Sequence, residues 1–497
     1  MIDEIWQWIK SINAKDTDDI PSLSNVDDTA RIFFLTSVAG AGKSAIAHTV
    51  AQRCHEERLL VSSFFFDRNF TDRPKRLFST VARGLAGHNV GLRQQIGLAI
   101  ELDESLPMAP ISRQFQDLIL APCRKHRVDG PLVVVIDALD EGYDGELLDI
   151  LCDEVPKLPA TFRILLTSRE GRDFNTVLSR KPHVYSQSIA IDEQDNLEDI
   201  AIFVRFKLAK VAEWKDLGKH WPDQELLTAF TEKAEGLFLW VSTVCEYLRG
   251  SLDPDGELRS LVSGRSPSDL PAEEKMDELY LTILQACNWK DKAFSMGYSL
   301  LMGAVMAAKS PLSASALQSL HCTSLTLPVN KLLQPVSSLL IGLAQNNQPI
   351  RPLHLSFRDF ITVRAQSSPD GKRFYINEKE HSQRLALLCL DVMNQAMERD
   401  TPGLGYLTAP VSESNGIPMI VEGHISEEMW YACKFWMDHI LEVDDPGKNL
   451  IDVLQCFFSN HLVTWIEIIT SKGQFRNLLQ VKEWIQVCMS ITGFSET

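Results

Sequence analysis

No block of lysine and arginine occurs anywhere in this sequence, and basic residues are in deficit overall. Forty-nine of them stand against 66 acidic residues, a formal net charge of −17. Such a surface repels phosphate backbones and acidic membranes, which argues against a nucleic-acid partner. The ten cysteines, scattered from Cys54 to Cys488, include no Cys-x-x-Cys pair. This argues against a zinc site and a disulfide framework; reduced, mostly buried thiols in a cytoplasmic protein are expected. Apolar runs of membrane length are also missing. The uncharged stretch from Ala293 to Ala308 is shorter than the ~18 residues a span requires, and it contains Gly297, Tyr298, Ser299 and Gly303, so a buried core helix is expected there. The start, Met1-Ile2-Asp3-Glu4, has neither the basic opening nor the apolar run of a signal peptide. There is no repeat of fixed period, and no Gly-x-Ser-x-Gly to support a serine hydrolase.

What is present is an ordinary globular composition, 45% hydrophobic and 23% charged, in a chain of 497 residues. At ~150 residues per domain this is about three structural units, with enough apolar mass to need no staple. Residues 1–30 read as a short helix with an apolar face of Ile5, Trp6 and Ile9, followed by an acidic linker from Asp16 to Asp28. From Arg31 short apolar runs alternate with helical stretches. Ile32–Leu35, Leu59–Phe66, Leu132–Ile136, Ile164–Thr167 and Val184–Ile191 are strand candidates, and Leu132–Ile136 is apolar at every position, as a strand buried on both faces requires. The alternation predicts a parallel α/β sheet over 31–192. Beyond Asp192 the pattern turns helical, with Ile200, Phe203, Phe206 and Leu208 at helical spacing. Gly250 to Glu273 reads as a linker. A mixed region over 271–370 carries short apolar runs at Val336–Leu343 and Ile350–Leu355. Amphipathic helices fill 371–497, with Leu385, Leu388, Val392 and Ala396 as one stripe.

Between the first strand and its helix lies Ser37-Val38-Ala39-Gly40-Ala41-Gly42-Lys43-Ser44. Glycines let a backbone approach phosphates closely and turn its N–H groups inward, and the following helix adds its positive end. A strand–loop–helix of this kind is a P-loop, in which Lys43 contacts β/γ-phosphates and the Ser44 hydroxyl meets magnesium. ATP or ADP with Mg2+ is therefore the expected ligand. The full pattern has glycine where this chain has Ser37, and a left-handed backbone there would cost on the order of 1–2 kcal/mol.

The clearest strand ends in Asp137-Ala138-Leu139-Asp140-Glu141. An acid at the end of a central strand is the Walker B arrangement, and Asp137 is the candidate magnesium ligand. Glu141, with Asp140, stands one turn further out, where it could polarise the water that attacks a γ-phosphate. Arg169 follows Ile164–Thr167 at the ligand-facing end of its strand, placed either to sense the γ-phosphate or to pair with an acid.

Together, Ser37–Ser44, Asp137–Glu141 and Thr167-Ser168-Arg169 resemble the NACHT class of STAND NTPases, most closely the nephrocystin-like NACHT proteins abundant in fungi. Gly236-Leu237-Phe238-Leu239-Trp240 resembles the helical-domain segment that lies against the adenine side of the nucleotide, although relatives often carry proline where Phe238 stands. Leu353-His354-Leu355-Ser356-Phe357-Arg358-Asp359-Phe360 resembles the family's winged-helix motif. The resemblance implies that His354 reaches the β-phosphate of ADP in the closed form. Tyr431-Ala432-Cys433, Trp436, His439 and Trp465-Ile466-Glu467 resemble the helical arm of fungal members. The implied order is an N-terminal helix and linker (1–30), a NACHT P-loop core (31–192), a helical domain (193–270), a winged-helix domain (271–370) and a helical arm (371–497). The effector domain and C-terminal sensor repeats of full-length relatives are not seen in these residues.

The expected function is a nucleotide-dependent signalling switch that hydrolyses ATP slowly and engages other proteins, with homo-oligomerisation on activation. The alternative is a non-catalytic nucleotide-binding scaffold. A metabolic P-loop enzyme has less support, because no second substrate motif is found.

Overall fold

Apolar runs long enough for a strand but too short for a helix recur five times in the first part of the chain, and each becomes a strand. A computed structural model describes residues 1–11, 30–68, 70, 74–126, 128, 130–171, 173–218, 220–263, 271–322, 324–325, 327–397, 405–407, 420, 423–473 and 476–492. The chain divides into two compact units, Met1–Glu273 and Glu274–Thr497. The acidic stretch from Asp16 to Asp28 lies outside the described residues.

In the first unit the strands are β1 (Ile32–Ser37), β2 (Leu60–Phe65), β3 (Leu132–Asp137), β4 (Phe162–Arg169) and β5 (Val184–Ser188). They form one parallel sheet in the order β2-β3-β4-β1-β5. The phosphate-loop strand and the acid-bearing strand are thus not neighbours: β4 lies between them. Helices α1 (Ile2–Lys10), α2 (Lys43–Glu56), α3 (Leu77–His88), α4 (Val90–Leu102), α5 (Ile111–Gln114), α6 (Ala121–Lys125), α7 (Gly145–Asp149) and α8 (Asp173–Ser179) accompany it.

Side chains alternate across a strand, so each central strand feeds two cores. Ile32, Phe34, Val134, Ile136, Ile164 and Leu166 face α3, α4 and the helical stretch around Phe115–Leu120. Phe33, Leu35, Val133, Val135 and Leu165 face α1 and α2. Each buried side chain of this size contributes roughly 1.5–3 kcal/mol through loss of water contact. On α1, Ile5 and Ile9 are buried as expected, but the third anchor is Trp8, whose indole N–H donates to the Ala30 carbonyl at 3.0 Å. Trp6 is only partly buried and carries Lys10 and Arg53 on its ring.

The unit continues with α9 (Gln194–Lys215), α10 (Gln224–Ala234), α11 (Phe238–Gly250) and α12 (Pro254–Ser263). The buried stripe of α9 is Ile200, Val204, Leu208 and Val211. Phe203 is half-buried and Phe206 exposed, so the aromatic pair is not the stripe. The expected linker from Gly250 to Glu273 instead contains α12, which Pro254 opens with Asp255 and Glu257 in its first turn, favourable places for proline and acids.

The second unit holds α13 (Ala272–Gln285), α14 (Lys292–Ala307), α15 (Ala314–Leu320), α16 (Val329–Leu333), α17 (Leu355–Thr362), α18 (Glu378–Ala396), α19 (Glu427–Ile440), α20 (Lys448–Asn460), α21 (Leu462–Ser471) and α22 (Leu479–Thr492), with α13 starting at the division. The apolar stretch from Ala293 to Ala308 is α14, a core helix capped by Asp291, whose carboxylate accepts from the amides of Ala293 and Phe294. A Cβ at Gly303 would lie 2.0 Å from the His381 ring, so close packing explains a glycine inside this helix. Among the described residues no helix is long and apolar enough to cross a membrane. The apolar runs near 340 and 351 form a short antiparallel pair, β6 (Leu340–Ile341) and β7 (Arg351–Pro352). On α18 the buried positions are Leu385, Ala386, Cys389, Leu390 and Met393; Leu388 and Val392 are half-buried and Ala396 is exposed, so the expected stripe is rotated by about one residue on a cylinder of ~3.6 residues per turn.

Candidate functional site

The phosphate loop begins where β1 ends. Ser37 is the last residue of β1, paired with Arg169 of β4, and it is not among the residues of positive φ. The strain that serine would carry in a left-handed backbone is therefore absent. Gly40 and Gly42 do take positive φ, +87° and +93°, the conformation for which glycine is suited. Gly42 caps α2, whose first turn carries no acid, so no side chain of that turn offsets the positive end of the helix.

Lys43 folds back over the loop. Its ammonium donates to the carbonyls of Ser37 at 2.9 Å and Val38 at 2.8 Å. Burial pulls the Lys43 pKa down to about 8; nearby Asp140 raises it, Arg169 lowers it, and Asp137 and Glu170 raise it. These couplings bring Lys43 into one electrostatic neighbourhood with both acids of the β3 end. Ser44, in the first turn of α2, is exposed. The Ser37 hydroxyl is buried with no hydrogen-bond partner among the described residues.

Asp137 ends β3 and is buried. Its carboxylate accepts a 2.5 Å hydrogen bond from the Thr167 hydroxyl, which in turn accepts from the Ala138 amide at 2.9 Å. Ala138 sits at φ +58°, a left-handed turn that costs an alanine about 1–2 kcal/mol. The turn swings Leu139 into the core and places Asp140 and Glu141 on a short 3-10 segment. Asp140 accepts from the Arg169 backbone amide at 3.1 Å and meets its Nε at 3.3 Å, both side chains being almost fully enclosed. Arg169 thus pairs with an acid, and the acid is buried. Glu141 accepts from the Arg68 amide at 3.3 Å. Burial, then the negative charge of Asp140, pushes its carboxyl up to about 7. The neighbouring Gly142 is required by crowding: a Cβ there would lie 1.9 Å from the Phe66 ring.

The N-terminal end of α11 closes over the loop. The Leu239 amide donates to the Gly40 carbonyl at 3.2 Å, and a Cβ on Gly40 would lie 2.8 Å from that of Leu239. Phe238 lies against Gly42 and meets Phe203 edge-on at 5.3 Å. Asn196 ties Ile191 to Gly236, at 2.7 and 3.2 Å, which fixes the entry to this segment. A cavity of about 320 Å³ opens beside Val38, Ala39, Arg169, Glu170 and Gly171.

His354 belongs to the second unit. There it is the N-cap of α17, its Nδ1 accepting from the Ser356 amide at 3.0 Å. The sheet thus gathers Ser37–Ser44, Asp137, Asp140, Glu141 and Arg169 at one end, and His354 has a separate, local anchor. Sequence reasoning gave no role to Thr167 or to the Leu239–Gly40 contact. The Thr167 hydroxyl could be suspected only from its place in register beside the acid strand.

A parallel sheet whose first strand runs through a glycine loop into a helix, and whose acid strand stands one strand away, is the core of a P-loop NTPase. Residues 16–169 match the family model described as Nephrocystin 3, N-terminal, a stretch that ends at Arg169 and covers less than half of the chain. No curated protein matches the sequence. Among solved structures, a chain from the "Structure of Drosophila ORC bound to DNA" is similar at 13% identity and a TM-score of 0.25, over 67% of this chain and 90% of that chain.

Proposed function

We propose that this chain binds ATP or ADP with Mg2+ on the Ser37–Ser44 loop and acts as a nucleotide-dependent switch of the NACHT/STAND type, hydrolysing ATP slowly. The observation that carries this reading is the convergence of the Lys43 ammonium, the acid-free first turn of α2 and the Asp137 carboxylate at one end of the sheet. The residues present fit the ligand. Lys43 and the loop amides would hold phosphate oxygens, and the Ser44 hydroxyl with Asp137 would hold the magnesium ion, which supplies neutralising charge. Thr167 fixes the orientation of the Asp137 carboxylate through its 2.5 Å bond. Glu141, with its raised pKa, has the basicity of a group that takes a proton from water near neutrality. Asp140 holds Arg169 beside the loop, where the arginine would register the charge of a third phosphate.

The rest of the chain follows the same reading: a helical domain over 193–270, a winged helix over 271–370 with β6, β7 and α17, and a helical arm over 371–497. His354 would donate to the β-phosphate of ADP in the closed form. Other proteins, including further copies of this chain, would be the partners of the open form in the cytoplasm. Moving such a switch from 1:99 to 99:1 needs ~5.5 kcal/mol of differential binding, within reach of two or three charge-assisted bonds at about 1.5–3 kcal/mol each.

A second reading, a scaffold that needs no nucleotide turnover, is favoured by one observation. Lys43 is bonded by its own loop and Leu239 clamps Gly40, so contacts within the chain brace the loop. Titration with fluorescent ADP and ATP, with and without magnesium, separates the two. Lys43→Ala is expected to weaken binding by about a hundredfold or more, as loss of charge-assisted bonds would. Equal nucleotide and partner binding by the variant and the native chain would sink the switch.

A further inference from the structure

One face of α9 is core and the other is strongly exposed. Ile200, Val204, Leu208 and Val211 are buried, and the helix packs on α10 and α11. The outward face carries Ile202, Phe206 and Trp214, which are 65%, 54% and 50% exposed. Among the described residues no other phenylalanine or tryptophan is exposed. Large apolar side chains gain most from leaving water, so their concentration on one helix marks a surface that a partner covers.

Charge on α9 is divided along its length. From Gln194 to Val204 there are three acids, Asp195, Glu198 and Asp199, and no base. From Arg205 to Lys215 there are four bases, Arg205, Lys207, Lys210 and Lys215, and one acid, Glu213. Two cations lie over the exposed rings: Lys210 is 4.4 Å from the centre of Phe206, and Arg249 of α11 is 4.9 Å from that of Trp214. Residues four apart form a ridge on a helix. One ridge of α9 consists of Gln194, Glu198, Ile202, Phe206, Lys210 and Trp214, all exposed. Its middle four run acid, aliphatic, aromatic, base. Reversed, this order is its own complement.

We propose that this ridge pairs with the same ridge of a second copy of the chain, antiparallel, about a two-fold axis between Ile202 and Phe206. Each Ile202 then faces the opposite Phe206, and each Glu198 the opposite Lys210. Ridges of this spacing lie side by side when helix axes cross at about −50°, the commonest packing class. A wholly acidic partner would match only the basic half, and an anionic membrane would be repelled by the acidic half. At a net charge of −17 two copies repel at long range, so only a locally complementary face brings them together. The ridge is ~30 Å long and one helix wide, smaller than the ~800 Å² per partner of a standard interface, so the pair is weak, with a dissociation constant on the order of 10–100 µM. The pairing needs no nucleotide and is independent of the reading given above.

Sedimentation velocity of the full chain without nucleotide, from ~1 to ~300 µM in low salt, tests it across the range just estimated. The expected result is a monomer that becomes a dimer and nothing larger, because an isologous contact closes on itself. Added salt should weaken the dimer. Glu198→Lys and Lys210→Glu each set like charges opposite one another twice, and each should raise the dissociation constant at least about tenfold. The double reversal should restore the dimer, and so should an equal mixture of the two single variants, since both ion pairs re-form in the mixed dimer. Thermal melts confirm that each variant is folded. A monomer throughout the range, a larger assembly, or a dimer indifferent to both single reversals overturns the proposal. A dimer weakened by both and rescued by neither combination overturns the antiparallel pairing.

Discussion

The two units bury polar groups in opposite ways. In the first, Lys43, Asp137, Asp140, Glu141 and Arg169 crowd one end of the sheet, and Lys43 and Glu141 feel the charges of Asp140 and Arg169. In the second, several buried groups sit singly among helices with neutral partners. His439 bonds the hydroxyls of Ser382 and Tyr431, each at 2.7 Å, and Glu467 accepts from the amides of Gly405 and Leu407, each at 2.7 Å. Crowded charges are poised to respond to an incoming ion. Dispersed ones hold helices together and respond chiefly to pH. The comparison separates chemistry from architecture without reference to any ligand.

The sharpest way to break it is to remove the candidate base. Glu141→Gln is expected to lower ATP hydrolysis by roughly 10²–10⁴-fold with nucleotide affinity little changed. In the native chain the rate should rise with pH through about 7, because burial and Asp140 raise the Glu141 pKa and only the deprotonated carboxylate accepts a proton. A rate that is flat between pH 6 and 8 would remove Glu141 from the role. Asp137→Asn should cost about 10² in hydrolysis and abolish the magnesium dependence of binding, read in the same titrations. Unfolding of the second unit should be unaltered.

A third measurement addresses the helical unit. Burial lowers the pKa of His321 to about 4 and of His439 to about 3, and lowers that of His381 as well. Arg384 and His381 oppose charge on His321, Lys309 opposes it on His439, and Glu380 favours it on His381. The unfolded chain takes up these protons near 6.5 and the folded chain only at lower pH, so stability is full above 6.5 and is lost as pH falls. By pH 5, His321 and His439 should each contribute a loss of about 2 kcal/mol. In the first unit Glu141 acts with the opposite sign: its raised carboxyl makes stability fall as pH rises from 4.5 through about 7. Urea unfolding at pH 7 and pH 5, with pulsed hydrogen exchange to separate the units, should find the helical unit loosened first in acid. The opposite order would refute the contrast.

The smallest expected effect is Ser37→Gly, which restores the glycine of the full loop pattern. Because Ser37 ends an extended strand, nucleotide affinity should stay within about twofold and stability should fall by roughly 0.5–1 kcal/mol, the cost of glycine in a strand. A large gain in affinity would show that the serine had been straining the loop.

The three central strands were legible because a parallel strand buried on both faces is largely apolar, and the loop and its acids because their residue types recur at fixed offsets from strand ends. Strand order was not legible, since pairing joins segments far apart in the chain. The position of β4 between β1 and β3 is what gives Thr167 and Arg169 their partners. Faces of short helices were also hard to read. On α1, Trp6 and Trp8 are equally apolar, and tertiary contacts decide between them: Trp8 bonds the Ala30 carbonyl and packs on Phe33. On α9 the aromatic spacing of Phe203 and Phe206 masked the narrower stripe of Val204 and Val211. At α12 the signals were misread, for Pro254 followed by acids marks a helix start as well as a loop.

Leu239 stands where any side chain at position 40 would have to go, and its amide holds the carbonyl of that residue. A change at 239, remote in the chain, is in effect a change to the phosphate loop. A bulkier or differently branched residue there would reshape the glycine turn from outside, so an inventory of loop residues made from adjacent positions alone leaves one out.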